Sequence, residues 1–277
     1  MSQTPAPPTP APVPAPAPVT GPVSLRGRTI VVTGANTGIG AAIAKLAGAT
    51  GMNVVIDYVA HPELNQPLID EIVAAGGQAI AVQADVTRVE HLQSLVDAAV
   101  DAYGRLDVWV NNAGVETRLS LLEDTEEKYD FVMDINMKGA YFGAQVAAKR
   151  FIAQGSRGVI VNVSSVHEDW PMPGNTAYCV AKGGLRMFAK NVGVELADHG
   201  IRVVNVAPGA ISTPINKETE ADPGKIKQLN ESIPAGRIGQ PSEVASVVLF
   251  VASDEASYMT ATTVTVDGGI TQGAAGL

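Results

Sequence analysis

From residue 28 onward, short apolar runs alternate with longer stretches in which apolar residues recur every three or four positions. The runs "RTIVVTG" (28–34), "NVVIDY" (53–58), "QAIAVQ" (78–83), "LDVWV" (106–110), "GVIVNVSS" (158–165), "IRVVNVAPG" (201–209) and "TVTVDGG" (263–269) are rich in β-branched residues and end in turn formers, which predicts strands. Between them, segments such as "GIGAAIAKLAGATG" (38–51) and "VEHLQSLVDAAVDAYG" (89–104) carry the helical period. Near-continuous apolar strands separated by helices predict a parallel sheet covered on both faces by right-handed crossovers, a doubly wound α/β fold. No proline-rich or charged linker interrupts residues 25–277, so that span is expected to be one domain.

The N-terminus breaks the pattern. Half of the 18 prolines fall within the first 22 residues, and their fixed φ angles and missing amide donors predict a mobile, partly polyproline-II arm over residues 1–24, with a spacer role as the plainest expectation. The arm lacks the basic start and unbroken apolar core of a secretory signal, and no other stretch is long and apolar enough to span a membrane. A net charge of −9 argues against nucleic acid or anionic lipid as partners, and a lone Cys179 excludes an internal disulfide. Together these predict a cytoplasmic protein acting on a small molecule.

Ligands of doubly wound folds sit beyond the carboxyl ends of the strands, and the polar motifs fall at those ends. "TGANTGIG" follows the first run: Gly34, Gly38 and Gly40 allow a tight turn and let a pyrophosphate approach amides at a helix N-terminus. "NNAG" (111–114) follows the fourth run, and Asn136 lies in "DINMKGAYFG". In "SSVHEDWPMPGNTAYCVAK" (164–182), a helix from about Ala177 to Asp198 puts Tyr178 and Lys182 on one face. A free phenol has a pKa of about 10; a neighbouring ammonium, with a cationic nicotinamide ring, is expected to lower it and make the tyrosine a usable acid/base. Ser165 could hydrogen-bond a substrate oxygen at the same edge.

In order and spacing, "TGANTGIG", "NNAG", Asn136, Ser165, Tyr178-x-x-x-Lys182 and "PGAISTP" resemble the short-chain dehydrogenase/reductase family over residues 25–270. The resemblance implies a single-domain Rossmann fold with a seven-stranded parallel sheet, a homotetramer and no catalytic metal. It implies a tetrad of Asn136, Ser165, Tyr178 and Lys182, in which Tyr178 is the acid/base, Ser165 orients the substrate, Lys182 binds nicotinamide ribose and Asn136 organises a water relay. The dinucleotide would be held by Gly34, Asn36, Thr37, Gly38, Ile39, Gly40, Asp57 and Tyr58, by Asp85, Val86, Asn112, Ala113 and Gly114, and by Tyr178, Lys182, Pro208, Gly209, Ile211 and Thr213.

The loops "SSVHE", "NNAGVE", "PGAISTPIN" and "SDEASYMT" are similar to those of bacterial glucose 1-dehydrogenases. That likeness implies Glu116, His167 and Asn216 beside Ser165 and Tyr178 around a sugar, with the anomeric hydroxyl of β-D-glucose oxidised to the lactone; reduction of another carbonyl, or oxidation of another secondary alcohol, is one alternative, and a non-catalytic nucleotide-binding protein on the same fold is the other. Trp170 would either wall the pocket or pack beneath its loop, and His61, His91 and His199 are expected in solvent. Dual-cofactor relatives carry an arginine where this chain has Val59, and "TGANTGIG" holds no cation, which favours NAD over NADP. Asp57 stands one place before the usual acidic position. Ala261 occupies a site where relatives commonly have glycine.

Overall fold

The computed structural model of the protein describes residues 23–273, so the expected arm, apart from its last two residues, lies outside the described residues. Seven strands form one parallel sheet: β1 (Thr29–Val32), β2 (Asn53–Tyr58), β3 (Gln78–Gln83), β4 (Val108–Asn111), β5 (Gly158–Val163), β6 (Ile201–Pro208) and β7 (Thr262–Val266), in the order β3-β2-β1-β4-β5-β6-β7. The direction of winding reverses between β1 and β4, which opens a crevice at their carboxyl ends. Several strands end short of the expected spans because Thr33, Gly34, Ser164 and Ser165, which continue the apolar runs in sequence, already belong to the strand-end turns.

The helices follow in chain order: α1 (Gly38–Ala49), α2 (Asn65–Ala74), α3 (Val89–Tyr103), α4 (Glu126–Met133), α5 (Gly139–Ala153), α6 (Thr176–Glu195), α7 (Lys217–Ala221), α8 (Pro223–Ser232) and α9 (Pro241–Ala252). Two cores flank the sheet. One joins Ile30, Val54, Val110 and Val161 to α1 and α9; the other joins Val31, Val55, Trp109 and Ile160 to α3, α5 and α6. Alternate residues of the same strand thus serve opposite cores, which is why the strands read as continuous apolar runs.

Local chemistry shapes the elements near the crevice. A π-helical turn, Asp134–Lys138, joins α4 to α5 and carries Asn136; such turns are rare and concentrate at functional sites. Helix α6 begins at Thr176 and ends at Glu195, followed by a 3₁₀ turn, so its end comes sooner than expected while Tyr178 and Lys182 stay on it. At the amino ends of the strands, Ser24 donates to Glu255 at 2.7 Å and Arg28 pairs with Asp254 at 2.5 Å, so ordered contacts begin before residue 25. Among the described residues, no helix is long and apolar enough to cross a membrane.

Candidate active site

A cavity of about 710 Å³ opens at the carboxyl ends of the strands, within the size range of small-molecule and cofactor sites. The glycine loop between β1 and α1 forms one end. Gly34 takes a left-handed φ of +58°, and a Cβ on Gly40 would lie 2.4 Å from the Gly34 carbonyl oxygen, so both positions demand glycine. The loop is tied to the end of β4: the Asn112 amide donates to the carbonyls of Thr33 at 2.8 Å and Gly34 at 3.0 Å. In return the Thr33 hydroxyl accepts the amides of Asn112 at 2.9 Å and Ala113 at 3.0 Å.

Most of the expected cofactor residues line this cavity: Gly34, Asn36, Thr37, Gly38, Ile39 and Asp57 at one end, Asp85, Val86, Asn112, Ala113 and Gly114 along the middle, and Pro208, Gly209, Ile211 and Thr213 on the far wall. Gly40 and Tyr58 do not line it. Gly40 packs directly under the loop, and Tyr58 closes β2 with its carbonyl accepting the Ala84 amide at 3.0 Å.

Asp57 is 2 % exposed and uses one carboxylate oxygen to accept the Gly34 amide at 3.0 Å. Its other oxygen is buried without a partner. Burial pushes this carboxyl up to about 7, partly offset by backbone amides and reinforced by the nearby Asp85 charge. An orphaned acceptor beside a glycine loop fits the ribose of a dinucleotide, whose hydroxyl would supply the missing donor.

Ser165, Tyr178 and Lys182 gather at the other end and line the cavity. The Lys182 ammonium donates to the Val163 carbonyl at 2.9 Å and stands 5.5 Å from the centroid of the Tyr178 ring. Ser165, just past β5, accepts the His167 amide at 3.2 Å. Desolvation pushes Lys182 down to about 8, opposed by the charge of Glu168.

Desolvation pushes the Tyr178 hydroxyl up to about 12, and the Glu116 charge adds to the rise while Ser165 opposes it. In the protein alone, removing water from the phenol outweighs its hydrogen bond with Ser165.

Asn136 does not line the cavity; it clamps the Val115 backbone, accepting its amide and donating to its carbonyl, both at 2.8 Å. None of the three expected sugar contacts is among the lining residues, but Glu116 and His167 stand beside Tyr178, the His167 ring 6.3 Å from the tyrosine ring. Asn216 donates to the Ile211 carbonyl at 2.8 Å, which ties the short turn Pro214–Asn216 back to the end of the preceding loop. His167 pairs through Nδ1 with the Trp170 carbonyl at 3.0 Å, and its ring stacks on Trp170 at 6.0 Å, so Trp170 supports the loop rather than lining the cavity. Glu116 is held between Arg118 at 2.5 Å and Asn175 at 2.9 Å, close enough for its charge to act on Tyr178. Near the reacting end, the lining includes Val115, Phe131, Ile135 and Ile215. His91, expected in solvent, accepts the Asp85 amide at 3.1 Å.

Sequence reasoning passed over a row of side chains beneath the site. Asn111, Asn162 and Asn205 sit in register on β4, β5 and β6, and Glu168 closes the row. Each asparagine interrupts an otherwise apolar strand, which was the available signal.

Residues 34–271 match the family model described as Enoyl-(Acyl carrier protein) reductase. The chain is 44% identical over 247 residues to 3beta-hydroxysteroid dehydrogenase 1 of Eggerthella lenta, covering 89% of this chain and 95% of that one. It is 39% identical over 248 residues to glucose 1-dehydrogenase 2 of Bacillus subtilis, with 89% and 96% covered. A crystal structure of a short-chain type dehydrogenase/reductase from Mycobacterium marinum superposes with a TM-score of 0.84 at 32% identity, over 90% of this chain and 98% of that one. With this sheet order, this strand-end crevice and these relatives, the chain belongs to the short-chain dehydrogenase/reductase family.

Proposed function

We propose that the protein oxidises a secondary or hemiacetal hydroxyl to a carbonyl, reversibly, with NAD as the favoured cofactor, and that Asn136, Ser165, Tyr178 and Lys182 form its catalytic group. The carrying observation is the placement of Tyr178, Ser165 and Lys182 at one end of a single cavity whose other end is the glycine loop. Oxidation removes a proton and a hydride from the substrate: the proton passes to the Tyr178 oxygen, and a dinucleotide held by the glycine loop would supply the hydride acceptor. Ser165 holds the reacting oxygen by its hydroxyl. Lys182, fixed on the Val163 carbonyl, sets a positive charge behind the phenol. Asn136 pins Val115 and so shapes the wall facing them.

NAD is favoured because Asp57 and Asp85 line the adenosine end, while Lys182 is the only lysine or arginine among the described lining residues and lies at the other end. A 2′-phosphate there would meet carboxylates and no cation.

Two substrate classes are supported by different observations. The apolar side chains of Val115, Phe131, Ile135 and Ile215 favour a secondary alcohol on an apolar skeleton, in keeping with similarity to a hydroxysteroid dehydrogenase. Glu116 favours an aldose: it is fixed in place yet keeps unused lone pairs for sugar hydroxyls. Exposed Tyr141, Ile152, Val180, Met187 and Val194 on α5 and α6 support a homo-oligomer, the expected tetramer among its forms.

The test is a panel of aldoses, cyclic secondary alcohols and ketones with NAD and NADP, for wild type and Tyr178→Phe. Turnover by the wild type, lost in the variant while cofactor binding persists, is expected; undiminished turnover in the variant would reject the assigned base.

A further inference from the structure

Trp109 and Glu168 mark the two ends of the buried row under the site. The Trp109 indole donates to the Asn111 carbonyl oxygen at 2.6 Å, Asn111 donates to Asn162 at 2.8 Å, Asn162 to Asn205 at 2.9 Å, and Asn205 to Glu168 at 3.2 Å. An indole can only donate and an ionised carboxylate can only accept, so the two ends fix the orientation of every amide between them. The second hydrogens of Asn111 and Asn205 are also used, on the carbonyls of Ala140 at 3.1 Å and Leu185 at 3.2 Å, which fastens α5 and α6 to the row.

Glu168 gathers more than the end of this chain. Its carboxylate accepts the Thr263 hydroxyl of β7 at 2.7 Å and the Ser164 hydroxyl at the end of β5. Ser164 stands between Val163, whose carbonyl holds the Lys182 ammonium, and Ser165, whose hydroxyl faces the reaction. Two consecutive residues at the end of β5 therefore hold two opposite charges, Lys182 on Val163 and Glu168 on Ser164. The other charged groups nearby are Arg186, one turn beyond Lys182 with Nε 3.8 Å from Glu168, and Asp169, which engages Arg186 from outside. Glu116 lies across the cavity and acts on Tyr178. His167, on the same short turn as Glu168, is occupied with Trp170.

We propose that Glu168 is a positioning residue for the reaction: its carboxylate fastens the Ser164–Ser165 segment to β6 and β7 and provides the buried negative charge that keeps Lys182 an ammonium. A neutral side chain could still fill the space, but Lys182 would then face a dry environment with no compensating charge. The proposal rests on the acid/base roles assigned to Tyr178 and Lys182.

The experiment uses the full chain labelled at lysine 13Cε, with Lys182→Met to assign the resonance, and follows its titration in wild type and Glu168→Gln beside the pH dependence of kcat/KM. The Lys182 midpoint is expected to fall by half a unit or more in E168Q, with the alkaline limb of kcat/KM moving down by the same amount. An unmoved midpoint overturns the proposal, even if E168Q melts earlier, because a merely structural carboxylate would change stability alone. A lowered midpoint with an unmoved alkaline limb supports the charge coupling and counts instead against the chemical role of Lys182. Thr263→Val, which removes one anchor and keeps the charge, is expected to lower kcat several-fold with KM and the Lys182 midpoint unchanged; should E168Q not fold, an unchanged kcat in T263V overturns the anchoring.

Discussion

Lys182 reaches past the ring of Tyr178, its nitrogen 5.5 Å from the ring centroid, to end on the Val163 carbonyl at 2.9 Å. The four-residue spacing on α6 places both side chains on one face, but the ammonium is fixed by the sheet and not by the phenol.

Replacing Tyr178 by Phe is expected to reduce kcat by roughly 10²- to 10⁴-fold, the range for loss of a general base. Cofactor affinity, read by quenching of Trp fluorescence, should change less than about threefold. Because the phenol is pushed up to about 12 in the protein alone, its ultraviolet titration should stay above the ordinary tyrosine range until a cationic cofactor is added.

Asp57 gives a stability prediction. Its folded pKa of about 7 lies above the ordinary 3.8, so the folded state holds the proton more tightly; the associated stabilisation is complete below about 4 and is lost as pH rises to about 7. Asp57→Asn should therefore match wild type at pH 4 and exceed it at pH 8, by up to about 4 kcal/mol from a shift of this size. Denaturant unfolding at the two pH values measures the difference, and equal behaviour at both would refute it.

The backbone contact of Asn216 is testable against Glu116. Asn216→Ala should leave KM for every substrate within about twofold, because the amide serves a backbone carbonyl. Glu116→Ala frees Arg118 and Asn175 and should raise KM for a polyhydroxylated substrate about tenfold, while KM for an apolar secondary alcohol changes less.

Ala261 takes a left-handed φ of +55°, a conformation that disfavours any side chain. Ala261→Gly relieves this and should stabilise the fold by roughly 0.5–1 kcal/mol, after allowing for the greater freedom of glycine in the unfolded chain. Thermal unfolding of the pair provides the measurement.

Much of this architecture could be read from the chain because parallel strands buried on both faces leave uninterrupted apolar runs: Val54 and Val55 serve opposite cores and look alike in sequence. The glycine loop was legible for a related reason, since a backbone conformation that excludes side chains leaves a mark in residue type. The contacts of Asn216 with Ile211 and of His167 with Trp170 were not legible, because residue type at a loop position does not reveal which way the side chain turns. The upward push on Tyr178 in the protein alone was not legible, because loss of water depends on packing from several elements. The Asn111–Asn162–Asn205 row was visible as polar interruptions, but only pairing of the strands brings them side by side.

The stitches from Ser24 to Glu255 and from Arg28 to Asp254 lie where strands begin, whereas the cavity lies where they finish. Ser24 and Arg28 are therefore fixed at the end of the sheet opposite the chemistry. A fluorophore or fused carrier joined at Ser24 itself would be held at the end of the sheet opposite the mouth of the cavity.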